Sequence, residues 1–114
     1  MIEQAKENDI KKLNEIIEKD YPYKNFSSEN LTERIRKPGV VILKKTYNKE
    51  LAGFVDFEIK ENFGLINAVS VKKSFRRKGF GKELLEKALD VLKQNNIFEA
   101  KLLVKQENSH AKKL

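Results

Sequence analysis

Residues 71–82 read Val71-Lys72-Lys73-Ser74-Phe75-Arg76-Arg77-Lys78-Gly79-Phe80-Gly81-Lys82, and the fold turns on what flanks them. Before them, Leu65 to Val71 reads as a strand. After them, Phe80, Leu84, Leu85, Ala88, Leu89 and Leu92 form one apolar helical stripe, closed by Gln94-Asn95-Asn96. The stretch between carries six cations and no acid. A helix start offers unpaired backbone N–H groups and the positive end of the helix dipole. Glycines at 79 and 81 remove the Cβ atoms that would keep a phosphate from those amides. Flanking Arg and Lys add charge-assisted hydrogen bonds. The conjunction describes a cradle for a pyrophosphate; two glycines alone would describe no more than a helix start. No Gly-Lys-Ser/Thr follows, so this is not the Walker pattern, and the three-glycine dinucleotide fingerprint is absent too.

Working outward, Phe98, Ala100, Leu102 and Val104 alternate in a further strand spanning Ile97 to Lys105. Strand, helix and strand make a right-handed β-α-β unit with its two strands parallel. On the other side, Val40 to Lys45 is a β-branched run ending at the polar turn Tyr47-Asn48-Lys49-Glu50. Next, Leu51, Gly53, Val55, Phe57 and Ile59 alternate with Phe54, Asp56, Glu58 and Lys60, which predicts a half-buried strand. With Leu65 to Val71, after a turn at Glu61 to Gly64, these segments predict an antiparallel meander. Further upstream, Met1 to Ala5 reads as a short strand. Ile10, Leu13, Ile16 and Ile17 follow as a helix capped by Asn8 and stopped by Tyr21-Pro22. A second helix, capped by Ser27 or Ser28, turns Leu31 and Ile35 inward and ends at Pro38-Gly39. Asn108 caps a last helical turn. The expected class is α+β, or mixed α/β: a central mixed sheet flanked by helices in the order β-α-α-β-β-β-α-β-α.

Composition narrows the function. The 114 residues predict a single domain over 1–114. There is no cysteine and one histidine, His110, so thiol catalysis, Cys-ligated metal and a His-rich metal site are excluded; no metal is expected. The longest apolar run is Val40 to Leu43, and the start lacks a signal-peptide pattern, so the expectation is a cytoplasmic protein with no membrane partner. The net charge of +7 lies in residues 72–114, with 12 basic and 5 acidic residues; residues 1–71 hold 12 of each. Charge gathered at one helix start points to a specific anion pocket, and it disfavours a nucleic-acid-binding domain, whose charge spreads along a face.

The stretch Arg76-Arg77-Lys78-Gly79-Phe80-Gly81 resembles the Arg/Gln-x-x-Gly-x-Gly/Ala loop of the GNAT acyl-CoA-dependent N-acetyltransferases. Ala68-Val69-Ser70-Val71 is similar to that family's fourth strand, Lys82 to Leu92 to its following helix, and Asn108-Ser109-His110-Ala111 to the start of its next one. The resemblance implies transfer of an acetyl group from acetyl-CoA, as cosubstrate, to a primary amine on a small molecule, peptide or protein. It assigns the CoA pyrophosphate to Arg76 and to the backbone amides of Arg77, Lys78, Gly79, Phe80, Gly81 and Lys82. The pantetheine arm falls to the main chain of Val69, Ser70 and Val71, laid beside a strand that splays from its neighbour at a bulge. The Val69 amide polarises the thioester carbonyl, and Asn108 faces the cofactor; the alternative for Asn108, an ordinary helix cap, stays open.

Three departures accompany the resemblance. Lys73 stands where the family often has Pro. Many members carry a general-base carboxylate at the positions of Leu65 or Asn67, and neither is acidic here. The family also continues past Ala111-Lys112-Lys113-Leu114 with a Tyr that protonates the leaving thiolate, then with further strands, so these C-terminal strands are expected to be missing. Glu58 and Glu61 are the nearest base candidates by sequence, with ordinary solvated charges as the competing reading. Asp20 to Phe26, with three aromatics around Pro22, is either an acceptor wall or a hydrophobic plug. A catalytically weak or silent CoA-binding module is the alternative to the enzyme. Without the final strands, the edge at 97–105 is expected to pair with a second copy as a homodimer.

Overall fold

Strand β3 (Glu50–Ile59) is the axis of the computed structural model, which describes residues 1–20 and 28–102. Around it, β1 (Ile2–Gln4), β2 (Val40–Tyr47), β3, β4 (Gly64–Val71) and β5 (Ala100–Leu102) form one sheet in that spatial order. The first four are antiparallel, and β5 lies parallel to β4. Helices α1 (Ile10–Asp20) and α2 (Ser28–Arg36) supply the core of one face, and α3 (Phe80–Gln94) that of the other.

The alternation in β3 predicts one wet face, and the structure corrects this: Leu51 to Glu58 are all buried. The reason is position. A central strand with helices over both faces has no solvent side, so Phe54 packs with Leu13, Ile16, Ile17 and Leu31, whereas Val55 and Phe57 pack with Leu84, Ala88 and Leu92. Burying each phenylalanine fully contributes roughly 1.5–3 kcal/mol. Asp56 and Glu58 share the Phe54 face and are carried into the interior with it. The β2–β3 turn forms as expected: Asn48 (φ 52°) and Lys49 (φ 66°) are both left-handed, the backbone of a type I′ hairpin joining Tyr47 to Glu50.

At the start of α1 the cap differs from the expected Asn8. A 3-10 turn over Glu7–Asp9 precedes the helix, and the Asp9 carboxylate accepts from the Lys6 N–H at 2.8 Å. Asn8 lies inside that turn, one residue short of the position from which a side chain reaches this amide. Leu31 is buried and Ile35 packs on the core, as predicted. Ser28 opens α2 as a helical residue; Ser27 lies outside the described residues.

Downstream of α3, the strand begins at Ala100 rather than Ile97. The Ile97 N–H donates back to the Leu92 carbonyl at 2.9 Å, so Ile97 finishes the helix end and buries its side chain against α3. Phe98 is 78% exposed. Positions 103–105 of the expected strand and the turn at Asn108 lie outside the described residues. Among the described residues no helix is long and apolar enough to cross a membrane.

Candidate functional site

The register of β4 changes in its middle. Asp56 faces Ala68 while Phe57 faces Ile66, which leaves Asn67 as an extra residue, a β-bulge. The bulge resets the side-chain alternation: Ile66 joins the α3 cluster, and Ala68 joins the α1–α2 cluster. Pairing with β5 is described from Gly64 to Ile66, and Asn67 to Val71 follow in the same strand. Val69, Ser70 and Val71, assigned to the pantetheine arm, therefore sit between the bulge and the basic loop.

That loop is shaped by its backbone. The Lys72 N–H holds the strand end by donating to the Ala52 carbonyl at 2.7 Å, and a 3-10 turn follows at Lys73–Phe75. The Arg76 Nε then donates to the Val71 carbonyl at 3.0 Å, tying the loop back to its own strand. Arg77 (φ 68°) and Gly79 (φ 80°) are both left-handed. For Arg77 this conformation is unfavourable by roughly 1 kcal/mol or more, while Gly79 adopts it without a steric penalty. Left-handed residues in such a turn direct successive N–H groups inward, the geometry of an anion nest. No side chain among the described residues caps α3 at Gly79, so its first amides retain their hydrogen-bonding capacity.

An aromatic base that the sequence reading missed supports the loop. Tyr47 meets Phe80 at 5.2 Å and Phe75 at 5.9 Å between ring centroids. Lys45 is buried, with its Nζ 4.7 Å from the Phe80 centroid and 3.4 Å from Glu83. Alternation in β2 places Lys45 on the α3 face, a signal that pairing of the strands alone reveals.

Charge divides the molecule. Arg34, Arg36, Lys37, Lys44, Lys45 and Lys60 all pair with carboxylates. Among the described residues, Lys72, Lys73, Arg77 and Lys82 make no ion pair. An open cavity of about 570 Å³ lies between α1 and the loop, lined by Glu15, Ile16, Lys19, Lys72, Lys73, Ser74 and Arg76.

On the α1–α2 side of the bulge stands a second polar cluster. Arg34 of α2 grips Asp56 with two hydrogen bonds, Nε to Oδ2 at 2.8 Å and a terminal nitrogen to Oδ1 at 2.7 Å. Asn67 donates from Nδ2 to Asp56 Oδ2 at 3.3 Å. Glu58 lies 3.2 Å from Lys37, 3.3 Å from Lys60 and 3.8 Å from Arg34. Burial pushes the Glu58 carboxyl up, but hydrogen bonds from Lys37 and Lys60 outweigh it and hold the group below its ordinary value. Glu58 is thus a buried, ion-paired carboxylate rather than a solvated one, while Glu61 is exposed. Arg34 and Asp56 escaped the sequence reading as site residues, and Asn67 entered it only as a position lacking the family's carboxylate; the available signal was a pair of acids on alternate positions of an otherwise apolar strand. Of the other expected site residues, Asn108 and positions 21–26 lie outside the described residues.

The mixed sheet, whose fourth strand bulges and then enters a cation-rich helix start with no side-chain cap among the described residues, is an α+β fold with the geometry of an anion cradle at that helix start. The acetyltransferase (GNAT) family matches residues 7–114, and the chain belongs to that family. No curated protein matches the sequence. The fold is similar to that of ribosomal-protein-alanine N-acetyltransferase from Brucella melitensis biovar Abortus 2308 (16% identity, TM-score 0.86, covering 99% of this chain and 85% of that one). It is also similar to the PaiA N-acetyltransferase from Thermoplasma acidophilum in complex with coenzyme A (24% identity, TM-score 0.81, 99% and 85%). A third likeness is to an aminoglycoside acetyltransferase from an uncultured soil metagenomic sample (21% identity, TM-score 0.79, 99% and 82%).

Proposed function

We propose that the protein transfers an acetyl group from acetyl-CoA to a primary amine by direct attack. The observation that carries this reading is the loop at the start of α3: left-handed Arg77 and Gly79, a helix start with no side-chain cap among the described residues, and Lys72, Lys73, Arg77 and Lys82, which make no ion pair among those residues. Membership of the acetyltransferase (GNAT) family and the coenzyme A complex of the Thermoplasma neighbour support the choice of donor. In this reading the amides of Arg77, Lys78, Gly79, Phe80, Gly81 and Lys82 hold the pyrophosphate, and Lys78 and Lys82 add charge. Arg76, which bonds the Val71 carbonyl, fixes the loop against β4.

The pantetheine arm lies along Val69, Ser70 and Val71, and the Val69 amide polarises the thioester carbonyl. The amine nitrogen forms the new C–N bond, the C–S bond breaks with its electron pair leaving on sulfur, and the proton lost by nitrogen balances the one the thiolate takes up as free thiol. Positioning of the two reactants supplies much of the rate. Release of free thiol from acetyl-CoA, followed with peptide, polyamine and aminoglycoside acceptors, tests the reading. Turnover above the acceptor-free rate supports it. Binding of acetyl-CoA with no turnover on any acceptor would favour the silent CoA-binding module instead.

A further inference from the structure

The bulge residue has a side chain with one end fixed. Asn67 directs Nδ2 at Asp56 Oδ2, and the two terminal atoms of an amide lie on opposite sides of its axis, so Oδ1 faces away from that carboxylate. The assignment of the amide ends follows from Asp56, which accepts and cannot donate while paired with Arg34. The bulge turns Asn67 toward the α1–α2 side of the sheet, two residues before Val69. Asn67 is half-buried, and no other side-chain bond engages its amide among the described residues.

The neighbouring carboxylates are occupied. Asp56 Oδ1 faces Arg34, and Asp56 Oδ2 faces both Arg34 and Asn67. Glu58 faces Arg34 of α2, Lys37 just after that helix and Lys60 beyond β3. The core residues that α1 and β2 pack on this face, Leu13, Ile16, Ile17 and Ile42, are apolar. Lys44 at the far side of β2 is taken up by Asp9 and Glu3.

We infer that Asn67 Oδ1 accepts a hydrogen bond from the acceptor amine and aims it at the thioester, with Arg34 and Asp56 holding the amide in that orientation, and that no side chain among the described residues takes the amine's proton. The inference rests on the acetyl-transfer reading and deepens it. The acceptor then reacts in its neutral form after releasing its first proton to water, and its second proton passes through water to the departing thiolate, which leaves as the thiol. Asn67 touches the reacting nitrogen, whereas Arg34 and Asp56 are positioning residues acting through it.

Two acceptors of different basicity test this. An α-amine titrates at about 7.7–8.0 and a lysine side chain at about 10.4. The expected kcat/KM rises with pH up to the acceptor's own pKa, so the inflection moves by more than two pH units between the two substrates. A shared inflection between pH 5 and 8 would assign the proton to an enzyme group and overturn the inference. Asn67→Ala should lower kcat/KM for both acceptors about tenfold with acetyl-CoA affinity within twofold, the loss of one oriented hydrogen bond; an unchanged rate overturns the role. Asn67→Asp places a carboxylate beside Asp56, whose charge raises the new group toward neutrality. Its expected signature is a new limb in the pH profile common to both acceptors.

Calorimetric titration with acetyl-CoA separates failure of the parent reading from failure of this one. If acetyl-CoA does not bind, the parent reading falls. The Asn67 side-chain amide signals in 15N spectra, titrated with butylamine in the presence of acetyl-CoA, read the contact without turnover. Their selective displacement supports the contact, and their invariance overturns it.

Discussion

Gly53→Ala isolates the close approach of β3 to β4 from everything else at the site. A Cβ at Gly53 would stand 2.5 Å from the Ser70 carbonyl oxygen and 3.1 Å from the Val71 Cα, both backbone atoms. An ordinary carbon–oxygen contact needs about 3.3 Å, so the strands must separate by nearly an ångström where Gly53 pairs with Val71. Neither obstacle is a side chain that can rotate away. Overpacking of this kind destabilises by about 1–3 kcal/mol, and replacing glycine returns roughly 0.4–1 kcal/mol by restricting the unfolded chain. The net expectation is about 2 kcal/mol at the upper part of that range, a fall in Tm of roughly 8 °C for a chain of this length. Urea unfolding followed by circular dichroism measures it, with Gly81→Ala as control, since a Cβ there meets only Val71 Cγ2 at 3.7 Å. A Gly53→Ala protein within 0.5 kcal/mol of wild type would refute the tight β3–β4 contact on which the placement of Val69 to Val71 depends.

Gly81→Val should fold, because the fold leaves room at that position, yet lose acetyl-CoA binding because the branched side chain meets the phosphate; normal binding in calorimetry would misplace the cradle. The Glu58 carboxyl is held below its ordinary 4.5, so its contribution to stability is complete above that pH and fades as pH falls through the lower folded value. Urea titrations from pH 6 to 3 should therefore show a shallower acid loss in Glu58→Gln than in wild type; identical slopes would mean that its cations do not grip it. Light scattering at micromolar concentration should report a dimer through the edge that carries exposed Phe98 and Leu102, and a monodisperse monomer would count against pairing there.

Local chemistry made much of this architecture legible. The change of period from alternating apolar residues in 51–59 to a helical stripe in 80–92 marks strand and helix because side-chain direction along each is fixed by backbone geometry. The glycines and cations of 76–82 carry the proposed anion cradle for a similar reason, since everything it requires lies within one short segment. Asn48-Lys49 could be read as a turn from polarity alone, although its left-handed backbone could not.

What the sequence could not state are the relations between distant segments. Asp56 and Glu58 read as the wet side of a strand until α1 and α2 close over that face; covering then forces them to find Arg34, Lys37 and Lys60. The bulge at Asn67 is invisible in β4 itself, because a bulge is a mismatch between two strands and belongs to neither. From that mismatch follow the turn of Asn67 toward Asp56 and its place in β4 two residues before the stretch that the acyl donor is proposed to follow. Periodicity and loop chemistry are written locally, but register and burial arise only when the whole sheet is assembled.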